Sequence, residues 1–475
     1  MNICYYSATI HLASVMKLNL FSTLPVRQEL LKSIKTLNYE TMTDIQVQAL
    51  PYLLKNQDIL AQARTGSGKT AVFAIGLLNK LNIQSYYTQA IVICPTRELS
   101  DQVATEIRKL ASTIPNTKVL TLCGGKPMGP QLASLRRDPH IVVGTPGRIL
   151  KHIKIKTLTL NKIETLVLDE ADRMLDMGFC DDILKIIGVT PVSRQTLLFS
   201  ATYPESIKQV SKKVQRDPLD IRVESSHDIP EINEIFFEVE KSHRIEVIYK
   251  IIAHYKPESS LIFCNTKQLC QQLATELKQY NLHALALHGD LEQFDRDQVL
   301  TQFSSKACSV LIATDVAARG LDVTDLSAVI NFELSYDPEL HIHRIGRTGR
   351  AGAKGLAISL FSNTERRRLD AIEEYQGARI KITNMDTLST STDFKLYPPM
   401  VLLFINGGKK EKLRAGDLLG ALTASDSIIA SQVGKITLFD KFAYVAIDQK
   451  AGKLALDILS NNNIKGRKFR VRRLN

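Results

Sequence analysis

The sequence has no uninterrupted apolar run of membrane-spanning length, which takes about 18 residues or more. That argues against a helical membrane protein. Its opening, "MNICYYSATIHLASVM", carries no charge before Lys17. It lacks the basic start, long apolar core and small-residue cleavage site of a secretory signal. These residues precede a second Met at Met16 and read as a patternless extension, and the protein is expected in the cytoplasm. The seven cysteines form no Cys-x-x-Cys pair. An odd count without metal spacing argues against both a disulfide framework and a zinc site. Cys94 in "IVICPT" and Cys264 in "LIFCNT" end apolar strands and read as small core residues of a reducing compartment.

What is present fits a globular protein of about three domains. Apolar residues make up 44% of the 475 and charged residues 23%, the balance of an ordinary folded chain. The net charge is +12, and it is unevenly placed. Residues 400–475 hold nine Lys and five Arg against five Asp and one Glu, a net +8. A polyanion is the expected partner of that end.

From Asp58 to Phe199, short aliphatic runs alternate with helix-length amphipathic segments: "DILAQA", "QAIVIC", "KVLTLC", "HIVVG", "TLVLD" and "TLLFS". Continuous apolar runs separated by helices predict a parallel sheet covered on both faces. Each run stops at a polar or Gly-rich cluster, and ligands of such sheets bind beyond the strands' carboxyl ends. A second set follows with the same grammar: "SLIFCNTK", "HALALHGD", "SVLIATDVAARGLD", "SAVINFEL" and "GLAISLF". Residues 400–475 read as β-α-β-β-α-β, the order of RNA-recognition motifs. The expected organisation is an extension over 1–18, a first α/β domain over 19–222 and a second over 223–385. A linker over 386–399 then leads to an α+β unit over 400–475.

"ARTGSGKT" (Ala63, Arg64, Thr65, Gly66, Ser67, Gly68, Lys69, Thr70) joins a strand to a helix. It is a phosphate loop with Ala63 in place of the usual first Gly. Gly66 and Gly68 let backbone N–H groups curl around phosphate oxygens at a helix N-terminus. Lys69 supplies charge to the β- and γ-phosphates, and the Thr70 hydroxyl suits Mg²⁺. Such a loop needs an acidic partner from another strand end, and "LVLDEAD" supplies one. Asp169 is placed to hold the metal and Glu170 to deprotonate the attacking water.

With these motifs on the page, the sequence resembles the DEAD-box ATP-dependent RNA helicases across residues 21–385. The resemblance implies two RecA-like parallel-sheet domains that hydrolyse ATP, with Mg²⁺, at the cleft between them. "YETMTDIQ" resembles the adenine-reading motif, with Gln46 on the adenine edge, Tyr39 stacking and Phe21 the upstream aromatic. Asp44 stands where family members usually have Pro. Ser200 and Thr202 of "SAT" would couple hydrolysis to strand separation through Asp172. Pro95, Thr96 and Arg97, Gly124 and Gly125, and Thr145, Pro146, Gly147 and Arg148 would contact RNA.

In the second domain the likeness extends to His288, Gly289, Gln293 and Arg296. It implies that Thr314, Arg319 and Gly320 face RNA, with Asp315 and Asp322 near the nucleotide or the domain interface. His343 belongs to the coupling set, and Arg347 and Arg350 of "HRIGRTGR" resemble arginine fingers. A guanidinium there is worth about 10³–10⁵ in rate in other NTPases.

The C-terminal unit is similar to the RNA-binding domain of the DEAD-box helicases of bacterial large-subunit ribosome assembly. That implies 23S rRNA and large ribosomal subunit precursors as partners, along with single-stranded and short duplex RNA, and local, non-processive unwinding. Lys409, Lys410, Lys412, Arg414, Lys465 and Arg467 are the expected contacts, and Tyr444 a candidate stacking platform. A DNA helicase of the same superfamily and a non-catalytic RNA chaperone or clamp stay open as alternatives.

Overall fold

The structure is a computed structural model that describes residues 19–63, 66–223, 232–318, 326–349, 355–389, 394–424 and 427–474. It divides into two compact units, Met1–Ser226 and His227–Asn475.

The first unit is built on a seven-stranded parallel sheet: β1 (Ile59–Gln62), β2 (Ala90–Ile93), β3 (Val119–Leu122), β4 (Ile141–Gly144), β5 (Thr165–Leu168), β6 (Gln195–Ser200) and β7 (Leu219–Arg222), in the order β3-β4-β2-β5-β6-β1-β7. Alternate strand residues feed opposite faces. Ile59, Ala61, Val92, Val143 and Val167 join one apolar core, and Leu60, Ile91, Ile93, Val142 and Leu166 join the other. Burying such an aliphatic side chain is worth about 1.5–3 kcal/mol, so helices on both faces hold the strands. The six aliphatic runs expected between Asp58 and Phe199 are six of these strands. β7 went unexpected because its "LDIR" buries only Ile221, the pattern of an edge.

The second unit carries a six-stranded parallel sheet: β8 (Ile232–Glu238), β9 (Ser260–Phe263), β10 (Ala284–Leu287), β11 (Val310–Ala313), β12 (Ala328–Asn331) and β13 (Gly355–Phe361), in the order β10-β11-β9-β12-β13-β8. Cys94 and Cys264 are fully buried free thiols, as their strand-end positions predict.

The same unit ends in an antiparallel sheet of β14 (Met400–Ile405), β15 (Val433–Leu438), β16 (Ala443–Asp448) and β17 (Val471–Leu474), ordered β15-β16-β14-β17. Its helices are Ala415–Thr423 and Gly452–Asn461. Val401, Leu403 and Ile405 face these helices. Leu402, Tyr444 and Ala446 face the other way and pack with Ala307 of the six-stranded domain. Phe294, on the helix Gln293–Ser304, meets the rings of Phe442 at 5.1 Å and Phe404 at 6.3 Å. The Met400 amide donates to the Lys306 carbonyl at 3.3 Å.

This docking corrects the reading of Tyr444 as an RNA-stacking platform. Its side chain is fully buried, ringed by Phe404, Phe439 and Phe442. Burial, with Asp297 and Asp295 nearby, pushes its phenol well above the ordinary range. A ring covered on this face has no surface to offer a base. The linker, too, is pinned: Phe394 and Leu396 pack against the core of the six-stranded domain.

Candidate active site

The phosphate loop follows β1; Ala63 and residues 66–70 of it are described, and Arg64 and Thr65 lie outside the described residues. Gly66 and Gly68 have φ of 87° and 94°, a region that costs other residues about 1–2 kcal/mol. A Cβ on Gly68 would sit 2.5 Å from the Gln46 side-chain nitrogen. That nitrogen donates to the Gly68 carbonyl at 3.3 Å, while the Gln46 oxygen accepts from the Thr43 amide at 2.8 Å. The Thr43 hydroxyl in turn donates to the Ser67 carbonyl at 2.8 Å. Thr43 and Gln46 thus form a capping box that ties the adenine-reading segment to the phosphate loop. Asp44 occupies the first turn of that helix, where negative charge is favoured, so its departure from the family's Pro leaves the turn intact.

Phe21 is only 3% exposed and lies 6.1 Å from the ring of Tyr39. The Tyr39 hydroxyl donates to Glu106 at 2.7 Å; burial, then Glu106, pushes the phenol up to about 12.

Lys69, on the first turn of the helix Lys69–Lys80, is 6% exposed and donates to the Ala63 carbonyl at 2.7 Å. The Ser67 hydroxyl is buried without a partner among the described residues. An orphaned donor, a buried lysine and a cradle that a Cβ would fill suit a bound polyphosphate.

Asp169 follows β5 and Glu170 caps the helix Ala171–Asp176, so the acids do begin a helix. Burial pushes the Asp169 carboxyl up to about 6 although Lys69 pulls it down. Glu170 holds φ 53°, ψ 52°, a left-handed conformation for a non-glycine residue, and such strain clusters at functional sites. Its carboxylate pairs with Arg173 at 2.8 Å, both side chains buried. Sequence reasoning missed Arg173; its i+3 spacing from Glu170 was the available signal.

Asp172 accepts from the amides of Ala201 and Thr202 and from the Thr202 hydroxyl, at 3.0–3.1 Å. Burial raises its carboxyl, but the charges of Arg173 and Lys69 and the hydrogen bonds from the Arg173 amide and the Thr202 hydroxyl outweigh it and hold the pKa below the usual range. Ser200 does not join them: its hydroxyl is buried without a partner among the described residues.

The first-unit loops expected to meet RNA sit at the carboxyl ends of β2, β3 and β4. Thr96 caps the helix Arg97–Leu110 and Thr145 the helix Pro146–Lys154. The Arg97 guanidinium covers the glycine pair, so a Cβ on Gly125 would lie 1.8 Å from it. Arg148 is a brace, donating to the Lys126 carbonyl and to Gln131 at 3.0 Å each.

In the second unit Thr314 follows β11, and Asp315 accepts twice from Arg344 at 2.7 Å. Arg344 also donates to Asn265 and to the Glu333 carbonyl and is fully buried, making it the hub of its sheet edge. Arg347 is 6% exposed, on the turn after the helix Pro338–Ile345 that carries His343. Arg319, Gly320, Asp322 and Arg350 lie outside the described residues.

The six C-terminal cations, Lys409, Lys410, Lys412, Arg414, Lys465 and Arg467, are all exposed. Lys465 Nζ donates to the Lys412 carbonyl at 3.2 Å, so the two basic loops form one surface.

Residues 43–210 match the DEAD/DEAH box helicase family, 243–352 the helicase conserved C-terminal domain and 402–473 the DbpA RNA binding domain. The chain belongs to the DEAD-box ATP-dependent RNA helicases. It is 48% identical to the ATP-dependent RNA helicase DbpA of Escherichia coli (strain K12), over 96% of this chain and 99% of that protein. It is 35% identical to the DbpA of Bacillus subtilis (strain 168) over the same shares. The structure of S. cerevisiae Dbp5 bound to RNA and ADP BeF3 matches with a TM-score of 0.70 at 32% identity, covering 77% of this chain and 95% of that one.

Proposed function

We propose that this ATP-dependent RNA helicase remodels 23S rRNA in large ribosomal subunit precursors, in the cytoplasm, opening a few base pairs per ATP. The observation that carries the reading is the single exposed basic surface of Lys409, Lys410, Lys412, Arg414, Lys465 and Arg467 on a DbpA-type RNA-binding domain. Cations of this kind hold phosphates and base edges. An RNA held there is presented to the helicase body at high effective concentration.

For hydrolysis, Gly66–Thr70 bind the polyphosphate and Gln46 reads the adenine. Glu170 takes a proton from the attacking water, whose oxygen bonds to the γ-phosphorus as the bond to ADP breaks. Thr70 and Asp169 would hold Mg²⁺, which would supply charge neutralisation on the phosphates. Arg347 and Arg350 add guanidinium charge to the transferring group. Asp172 carries the state of this centre to Ala201 and Thr202 through three hydrogen bonds.

The test is ATPase stimulation by 23S rRNA against an unrelated RNA and single-stranded DNA. Preferential stimulation by 23S rRNA supports the reading, and equal stimulation by DNA sinks it. Charge reversal of Lys409 and Lys410 to Glu should abolish the preference while leaving activity on generic RNA at high concentration.

A further inference from the structure

Along the linker, burial alternates: Phe394 and Leu396 are half-buried, Lys395 and Tyr397 exposed. Pro398 and Pro399 favour an extended chain before them, and successive side chains of an extended chain point opposite ways. The apolar pair packs on the six-stranded domain. Lys395 and Tyr397 instead line an open cavity of about 330 Å³ with Lys278, Asn281, Leu282 and His283. Among the described residues, two ammonium groups and an aromatic ring line it and no acidic side chain does. Tyr397 is 67% exposed.

The cavity's place matters as much as its lining. His283 directly precedes β10, and its carbonyl accepts from Cys308 Sγ at 3.6 Å. Ala307, next to Cys308, packs under the sheet of the C-terminal unit. The cavity therefore adjoins the seat of the RNA-binding unit, at the amino ends of β10 and β11. His288 and Thr314 lie at the opposite, carboxyl ends of these strands.

We propose that this cavity is an RNA subsite that grips a single-stranded phosphodiester segment flanking the element held by the C-terminal unit. Lys278 and Lys395 take phosphate oxygens, and Tyr397 gives its ring face to a base. The pairing of cations with an exposed ring on a tethered wall, beside an RNA-binding unit, favours a polynucleotide over a free small anion. This rests on the RNA-helicase reading and goes beyond it, since His288 and Thr314, the motif residues that follow β10 and β11, lie at the other edge.

The test uses the full chain, titrated across salt with a 23S rRNA hairpin that has or lacks a single-stranded extension. For Lys278→Ala/Lys395→Ala, the slope of log affinity against log salt on extended RNA should become shallower by about 1.4, two contacts at about 0.7 each. Tyr397→Ala should lose about tenfold in affinity, the scale of one base–aromatic stack. Binding of the bare hairpin and ATPase without RNA should stay as in the wild type. Equal slopes and affinities on extended RNA overturn the subsite, and so does a loss shared equally by the bare hairpin. Protection of both lysines from acylation by inorganic phosphate or ATP as fully as by RNA overturns it in favour of a small-anion site. Wild-type ATPase is assayed alongside: absence of RNA stimulation there overturns the helicase reading itself, whereas intact stimulation with unchanged slopes overturns only the subsite.

Discussion

Phe294 sets its ring at 78° to Phe442, 5.1 Å between centroids, and so joins the six-stranded domain to the antiparallel sheet. An edge-to-face pair of this kind is worth about 0.5–1.5 kcal/mol beyond its buried area, and Phe294 makes a second with Phe404. The sheet face that RNA-recognition motifs commonly give to bases is here given to protein. Phe294→Ala should loosen that docking without unfolding either partner, because Phe294 is itself 39% exposed. Hydrogen exchange should rise in β14 and β16 while β9 and β11 stay protected. Unchanged protection across the antiparallel sheet would show that the aromatic contact does not hold it in place.

Glu170→Gln should bind ATP and RNA yet hydrolyse about 10²–10⁴ times more slowly, the usual worth of a general base. Gln keeps a hydrogen-bonding oxygen for Arg173, so the fold around β5 is retained. Arg173→Ala is the contrasting variant. It strands a buried carboxylate, a change that costs about 3–5 kcal/mol of stability. A Glu170→Gln protein turning over ATP at the wild-type rate would remove Glu170 from the chemistry.

Asp169 gives a pH dependence whose sign can be worked out. Its carboxyl is raised from the ordinary 3.8 to about 6 by burial. Between those values the unfolded chain has released a proton that the native protein still holds, so stability falls as pH rises through the window. Above it the loss is complete and the contribution is flat. Asp169→Asn lacks the titration, so the nucleotide-free wild type should lose Tm relative to this variant between about pH 4 and pH 6. A constant difference in Tm across that range would contradict the raised carboxyl.

Much of this arrangement was legible in the sequence because its determinants are local. The strands β1 to β6 announce themselves as aliphatic runs, and each loop after them carries a motif whose residue types follow from phosphate or metal chemistry. The edge strand β7 escapes such a reading because Asp220 and Arg222 expose one of its faces, which blurs the apolar run, and in β8 Asn233, Glu234 and Glu238 interrupt it. The fate of Tyr444 was not legible either. "FAYVAI" reads the same whether its outward face meets RNA or protein; only the long-range partner Phe294 decides. Arg173 was hidden for another reason, since a basic residue on a helix is usually a solvated one.

Gly125 separates RNA grip from nucleotide chemistry. Its φ of 73° favours glycine, and a Cβ there would stand 1.8 Å from the Arg97 guanidinium. Gly125→Ala should push Arg97 off the loop after β3 and strain the backbone by about 1–2 kcal/mol. The phosphate loop after β1 is untouched by this change, so ATP affinity should be kept. RNA affinity should fall, and the salt slope of binding should become shallower by about 0.7 if Arg97 holds one phosphate of a single strand. Fluorescence titration with a labelled single-stranded RNA at several salt concentrations reads both effects. A variant that lost ATP affinity instead would place the glycine pair in the nucleotide site.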